Sequence, residues 1–441
     1  MKRVIPLVLL SALAACSSNS TPLKAVKQPV ANGPKNIIMV IGDGMGPAYT
    51  TAYRLFKDDP STATIESTVF DDILVGRSST APAQISGYVT DSAASATALA
   101  SGHKSYNGAI GVDTNKMPVQ SVLEYAKSIG KATGLVVTSQ INHATPASYA
   151  AHVEQRNQYD DIADQYFDRK INDSHVVDVM LGGGWKYFIR PDRDLTKEFQ
   201  KDGYQYINDY AQLNSINSDQ VLGLFADKGL PWALDDKQPH RLKKMTMAAV
   251  DRLDNNEQGF FMLVEGSQID WAGHSNDIAA AMAEMDDLAH TLQWLKSYVV
   301  NHPDTLVIVT ADHSTGGFTI AANGEYKWTP DVLSNLKNSP QAIAKQQKKH
   351  GFDHKKISEL LGLNLTKQES DTLEQAHADG KKSLHSALKK LLDTRSNTGW
   401  TTGGHTGVDV PVFSFGSGSE KFSGQQDNTD IAKRIFALLG K

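Results

Sequence analysis

FFMLVEGSQIDWAGH, residues 260–274, changes character in its middle. The first half is an uninterrupted apolar run closing on Glu265 and Gly266, as expected of a strand buried on both faces. In the second half Asp270 and His274 stand four apart, the spacing that places two side chains on one face of a helix. A strand leading directly into a helix is the unit of an α/β fold, and the chain repeats it. NIIMVIG (36–42), ATGLVVTS (132–139), VVDVML (176–181), TLVIVT (305–310) and VPVFSFG (410–416) are short and mostly continuous in their apolar character. Between them lie helix-like segments such as SVLEYAKSIG (121–130), whose final glycine suits a C-cap, and PHRLKKMTMAAVDRLDNN (239–256). The pattern predicts a three-layer α/β sandwich, a central and mostly parallel sheet between helices.

With 441 residues, 40% of them hydrophobic, and 34 glycines, the chain can bury a substantial core as one large domain or two ordinary ones. A net charge of −5 and the lack of a long basic block point away from nucleic acid as a partner. A small anionic substrate then requires a locally positive site. MKRVIPLVLLSALAAC (1–16) has two basic residues, an apolar run too short to span a bilayer, and the chain's only cysteine. It resembles a bacterial lipoprotein signal with Cys16 as the lipidated residue; an ordinary cleaved secretory signal is the other reading. The expected organisation is a signal segment (1–16), a flexible tether rich in Ser, Pro, Asn and Lys (17–34), and a catalytic domain (35–441). Such a protein is exported and anchored in a membrane, periplasmic or at the cell surface. Ser17 does not look like an inner-membrane retention signal, which points to the outer membrane. Residues 325–402 are lysine-rich, helical and broken by WTP and NSP, and read as an insertion at the sheet's carboxyl edge. Thr366 and Glu369 there form a candidate capping box.

Polar residues cluster where strands end. Asp43 follows the first strand within Gly42-Asp43-Gly44; His143 and Thr145 follow ATGLVVTS; Glu265, Asp270 and His274 belong to the opening stretch. Asp312 and His313 follow TLVIVT, and His405 sits just before VPVFSFG. Ligands of open α/β sheets bind at the carboxyl edge of the strands, so these residues are expected to converge. Each has an ordinary alternative: Gly-Asp-Gly as a turn, Asp270 and His274 as a surface pair, Thr145 as an N-cap before Pro146 at the first helical position. Five strand ends each carrying an unused Asp, Glu or His would nonetheless be unusual. His103, His152, His175, His240, His290, His350 and His385 lack this context and read as structural or solvated.

In VTDSAASATALASGHKS (89–105), Ser92 follows Asp91 at the start of a helix of very small residues that Gly102 can end. Free N–H groups at that helix start would stabilise a phosphoryl group held over Ser92, although Asp91 as N-cap with an idle serine fits equally well. Arg156 lies eleven residues after Thr145. If the helix begun at Pro146 runs that far, both face one side, and the planar guanidinium suits two phosphate oxygens. A nucleophile and an anion clamp beside a carboxylate–histidine cluster make a phosphoryl-transfer site.

VIGDGMG, TDSAASATALASG, NHATPASYAAHVEQR, VEGSQIDWAGH, TADHSTGG and GGHTG together resemble the alkaline phosphatase family, in identity and order, from about Asn36 to the C-terminus. The resemblance implies a largely parallel sheet between helices with a crown-like helical insertion. It implies metal-dependent hydrolysis of phosphate monoesters to alcohol and inorganic phosphate, through a phosphoserine on Ser92 with Arg156 as clamp. Asp270, His274 and His405 are then ligands of one zinc, and Asp43, Asp312 and His313 of a second. Asp43 would bridge to a magnesium site completed by Thr145 and Glu265. Where the enteric bacterial pattern has an aspartate and a lysine, this chain has His143 and Trp271, as in marine bacterial members. His143 is thus either a ligand of the third metal or an organiser of its waters. The family resembled is often dimeric, so a homodimer is a further implication. A phosphodiesterase would use a similar two-zinc site, whereas a metal-storage lipoprotein would need neither Ser92 nor Arg156.

Overall fold

Every residue of Asn36–Gly42 (β1) is buried, and alternate side chains go to opposite sides. Ile38 and Val40 join one core, Ile37, Met39 and Ile41 the other. A strand sandwiched between two helical layers has no polar face, which is why its sequence shows no alternation. The protein is described by a computed structural model covering residues 33–441; Cys16, the signal segment and nearly all of the expected tether lie outside the described residues. Among the described residues no helix is long and apolar enough to cross a membrane.

The other sheet strands are Leu74–Ser79 (β2), Ala132–Gln140 (β3), Val179–Gly183 (β4), Gln205–Ile207 (β5), Val221–Leu224 (β6), Phe260–Gly266 (β7), Thr305–Thr310 (β8), Val410–Gly416 (β9) and Gly424–Asp427 (β10). They form one ten-stranded sheet in the order β10-β2-β9-β8-β1-β7-β3-β4-β6-β5. All neighbours are parallel except at β9, which is antiparallel to both β8 and β2. The expected sandwich is therefore present, as a mixed sheet with one reversed strand. The strand expected at 176–181 begins at Val179 instead. Asp178 leaves the strand path because its carboxylate holds Lys127 at 2.6 Å and accepts from Thr133 N at 2.9 Å.

One face of the sheet carries Ser92–Ser101 (α2), Ala144–Ala150 (α3) and Asn428–Leu438 (α11), through Ala93, Leu99, Ala147 and Ile431. All ten residues of α2 are buried, which accounts for its small side chains: it lies against both α3 and α11 with no solvent face. The opposite face carries Pro47–Lys57 (α1), Arg241–Leu253 (α4) and the long Ile278–Asn301 (α6), with Gln268–Ser275 (α5) leading into α6. Four further helices, Pro340–His350 (α7), His354–Leu361 (α8), Lys367–Ala378 (α9) and Lys381–Ser396 (α10), fill the lysine-rich region. They leave and return through the ribbon Thr319–Ile320 with Thr398–Gly399, and Thr366 and Glu369 do form a capping box. Lys389 of α10 bonds the carbonyl of Ser275, one residue past His274.

Helices α4 and α6 are tied by charge as well as by packing. Arg241 is wholly buried, donating to both oxygens of Glu284 at 2.9 Å and to Asp287 at 2.6 Å. Removing the guanidinium while leaving two buried carboxylates is costly. Arg241→Met is therefore expected to lower unfolding stability by about 3–5 kcal/mol, read as a lower urea midpoint at unchanged slope; a shift below 1 kcal/mol would mean the carboxylates find water or protons instead.

Candidate active site

Strand register places the first three carboxylates. Ile41 is flanked by Glu265 on β7 and Thr310 on β8, so Asp43 and Asp312, each just past its strand, emerge beside Glu265 at one edge. Gly44 makes the turn possible: its φ is +72°, and a Cβ there would lie 2.8 Å from the Asp270 backbone. Its N–H donates to Asp312 Oδ1 at 3.1 Å. Helix α5 begins two residues after β7 and brings Asp270 and His274 round on its inner face, Asp270 Oδ2 standing 3.3 Å from His274 Nε2. His405 arrives at the same edge because β9 runs backwards. The chain before Val410 lies where β8 ends, and His405–Thr406 pairs with Ser314–Thr315.

The side chains meet. His313 Nε2 is 3.4 Å from Asp43 Oδ1 and 3.2 Å from Asp312 Oδ2, and the His313 and His405 rings stack at 3.5 Å. His405 Nε2 is 3.6 Å from Asp270 Oδ1 and 3.1 Å from His274 Nε2. His274 Nδ1 is 2.6 Å from Gly403 O, and His405 Nδ1 is 2.8 Å from Thr90 O. Each Nδ1 must therefore carry the proton as donor, which leaves two bare Nε2 lone pairs facing each other. Two acceptors at that separation repel unless a proton, as on His274 in the metal-free chain, or a metal cation lies between them.

Orphaned polar atoms agree. Both oxygens of Asp43, Asp312 Oδ2, Glu265 Oε1, Thr145 Oγ1 and His143 Nδ1 are buried without a hydrogen-bond partner, an arrangement that buried polar groups avoid. Burial pushes the Asp43 carboxyl well above its usual range, with Asp312, Asp270 and Glu265 adding to the effect. Glu265 is pushed up to about 7, chiefly by burial. The donor sets fit divalent cations. Asp43, Asp312 and His313 converge as one mixed imidazole–carboxylate group and Asp270, His313 and His405 as another, with His274 reaching Asp270 and His405 from the outer side; such donor sets suit zinc. Glu265, Thr145 and Asp43 offer oxygen only, as suits magnesium.

Ser92 opens α2, with its Oγ 3.1 Å from His313 Nε2. Asp91 is the N-cap, accepting from Ala94 N at 3.0 Å through one oxygen. Its other oxygen accepts from Gly108 N and from Arg156 Nη1, each at 3.0 Å. Capping by Asp91 thus leaves the Ser92 hydroxyl facing the cluster. Arg156 is not on a helix with Thr145. Helix α3 ends at Ala150, and Arg156 stands in the following loop, anchored by its N–H on Gly108 O at 2.8 Å. Nor is Thr145 an N-cap: His143 holds that position, Thr145 and Pro146 are the second and third helical residues, and this frees Thr145 Oγ1 for the site. The glycines after His313 turn the backbone sharply, Gly316 with φ +84° and Gly317 with φ +53°. At Gly316 a Cβ would meet the Trp400 ring at 2.6 Å, so the space serves the segment that carries His405.

His143 Nε2 lies 3.4 Å from Arg156 Nη2, and its ring meets Trp271 edge-on at 5.9 Å. Several contributors carried no sequence signal. Thr315 donates to Asp270 Oδ1 at 2.5 Å, Ser267 donates to Glu265 Oε2 at 2.6 Å, and the carbonyls of Thr90 and Gly403 orient two histidines.

In the metal-free chain, His274 is raised to about 9, first by its bond to Asp270. His313 is also raised, Asp312 overcoming the effect of burial. Both then hold protons that the unfolded chain releases near about 6.5. Their contribution to stability is full below that value and lost as pH rises towards 9. A metal ion held by these imidazoles would replace those protons. A chelator-stripped sample is thus expected to lose Tm between about pH 6.5 and 9 relative to a metal-loaded one, the gap widening with pH in calorimetry; a gap independent of pH contradicts the cation clusters.

Residues 34–440 match the family model described as alkaline phosphatase. Alkaline phosphatase 3 of Bacillus subtilis is 45% identical over 449 residues, covering 99% of this chain and 97% of that protein. The crystal structure of a cold-active alkaline phosphatase from a psychrophilic Shewanella is similar at TM-score 0.88 and 51% identity, covering 92% of this chain and 100% of that one. A His-to-Asp mutant of the alkaline phosphatase of the Antarctic bacterium TAB5 is similar at TM-score 0.69 and 28% identity, over 92% of this chain and 98% of that one; its structure has Mg bound in a site termed M3.

Proposed function

The chain belongs to the alkaline phosphatase family and is a phosphomonoester hydrolase, and from that premise we propose that it works through a phosphoserine on Ser92, with two zinc ions and one magnesium ion. The observation that carries the reading is the position of Ser92 Oγ, 3.1 Å from His313 Nε2 in one cation cluster and next in sequence to the aspartate that holds Arg156.

Ser92 Oγ attacks phosphorus opposite the ester oxygen; the P–Oγ bond forms as the ester P–O bond breaks, and the alcohol leaves with a proton. Water then displaces Ser92 from phosphorus, returning the hydroxyl and releasing inorganic phosphate. The free N–H groups at the start of α2 and the fork of Arg156 hold the non-bridging oxygens. Asp91 keeps that fork aimed from a rigid N-cap. Asp270, His274 and His405 would hold one zinc, Asp43, Asp312 and His313 the other, and Asp43, Thr145 and Glu265 the magnesium, with His143 either a ligand there or an organiser of its waters. When bound, these ions supply the positive charge that activates the serine hydroxyl and stabilises the leaving oxygen.

Ser92→Ala is expected to cut turnover of a simple aryl phosphate by about 10³-fold or more while leaving zinc content unchanged; near-full activity excludes the phosphoserine. Trp271 occupies the position that is lysine in the enteric pattern, its ring against Gly229 and beside His143. A lysine there adds one charge-assisted contact to phosphate, so Trp271→Lys is expected to lower the inhibition constant for phosphate about tenfold. An unchanged constant would detach position 271 from phosphate.

Export and lipid attachment at Cys16 form the second part of the proposal, supported by the charged start, short apolar run and small residues of 1–16. Cys16→Ser should move the protein from the membrane to the soluble fraction, and an unchanged membrane fraction would refute the anchor.

A further inference from the structure

His240 and His290, which read from sequence as structural or solvated, stand together with Asp286 away from the site above. One ligand atom from each of the three lies within 4.8 Å of the others. Asp286 and His290 are one turn apart on α6, while His240 immediately precedes α4. Their convergence is imposed by the neighbouring residue. Arg241 is locked to Glu284 and Asp287 of α6, so the residue before it must lie against the same helix. His240 adopts the left-handed backbone conformation, φ 52° and ψ 47°, and its ring sits 3.9 Å from that of His290.

The carboxylate is divided in the manner of a ligand. Asp286 Oδ1 accepts from Tyr53 Oη at 2.9 Å and faces Lys57 Nζ at 3.2 Å. Its Oδ2 points to His290 Nε2 at 3.6 Å, too long for a hydrogen bond. It is close to the separation of about 3.4 Å that two donors share across one tetrahedral ion. Tyr53 and Lys57 thus do for Asp286 what outer partners do for metal-bound carboxylates elsewhere, fixing one oxygen and leaving the other free. Burial, with His290 adding, holds His240 below its ordinary pKa, so its ring is neutral and available at neutral pH. The three side chains are half-buried, which leaves a route for an ion and a position for water.

We propose that His240, Asp286 and His290 form a peripheral binding site for a divalent transition-metal ion of the zinc class, strapping α4 to α6. Two imidazoles and one carboxylate with an open fourth position suit zinc, and the set offers too few oxygens for calcium or magnesium. Lys243 and Lys244 add positive potential that opposes a cation, so the site is expected to bind more weakly than the buried carboxylate clusters.

The test uses the intact metal-loaded enzyme, equilibrated with excess zinc, passed through a desalting column and analysed for metal per chain. His240→Gln and His290→Gln, on different elements and outside the catalytic cluster, should each retain one zinc equivalent fewer than the parent at unchanged monoesterase activity. Equal zinc content in parent and variants overturns the site. Because the readout is a difference at constant activity, it is independent of how many ions the active site holds. A second measurement needs no variant: added zinc should protect His240 and His290 of the parent from diethylpyrocarbonate, mapped by mass spectrometry, and undiminished modification of both also overturns it.

Discussion

Four carboxylates that cannot all be ionised in the same dry space set the terms for this molecule. Asp43, Glu265, Asp270 and Asp312 are buried at the carboxyl edge of three adjacent central strands. Without cations the conflict shows as protons: Asp43 is held well above its usual range and Glu265 near 7. Buried like charges are tolerable only when countered at close range. Within the chain the nearest counter-charges are the imidazoles of His274 and His313, both held above their ordinary pKa by the neighbouring carboxylates. Both outer histidines have their Nδ1 committed to backbone carbonyls and turn bare Nε2 atoms inward. Thr315 and Ser267 each donate to one carboxylate oxygen, Asp270 Oδ1 and Glu265 Oε2, and so fix how those carboxylates are turned. The site is a cage of acceptors, and its shape is held by hydrogen bonds that point the acceptors at one another.

Sheet topology makes the cage possible. In a wholly parallel sheet the residue preceding a strand lies at the edge opposite to the residue following one. Asp43 and Asp312 follow their strands, yet His405 precedes its own. Only because β9 is reversed does the segment before it return to the carboxyl edge, where it pairs beside Ser314 and stacks His405 on His313. The same economy of space governs α2. Ser92 must reach the cluster from a helix that is buried throughout its length, and a helix of alanine and serine lets α3 and α11 come close enough to bury it. Its N-cap Asp91 then performs two tasks with two oxygens, one on the helix backbone and one on Arg156.

Much of this was legible in the chain. Continuous apolar strands such as NIIMVIG and TLVIVT announced a sheet covered on both sides, and the strand-end rule gathered Asp43, Glu265, Asp270, Asp312 and His313 at one edge. What could not be read were quantities set by tertiary contact. The strands LVGRSS and GQQD lie towards the outer edge of the sheet and carry little apolar signal. The reversal of β9 leaves no mark in VPVFSFG, because burial fixes hydrophobicity and not direction. Arg156 was placed on a continued helix by counting residues, but the chain leaves helix at Ala150 and the arginine is positioned by Asp91, 65 residues away in sequence. His240 gave no local cue either, since its neighbours on α6 are fixed by the ion pair of the following residue.

The pair His143 and Trp271 shows how an electrostatic difference arises from two uncharged rings. Burial, with Arg156 adding, pushes His143 down to about 3, so it is neutral wherever a phosphatase of this kind would work. It therefore cannot restore the charge that a lysine at position 271 would supply. The tryptophan fills that volume against Gly229, where any larger residue would collide with the indole. In the proposed mechanism, positive potential from the chain over a bound phosphate would then rest on Arg156 and the start of α2. Arg156 in turn shares its guanidinium between Asp91 and the neutral His143. A clamp partly neutralised by its own anchor holds a dianion less tightly than one backed by a second cation, and that favours product release over product retention.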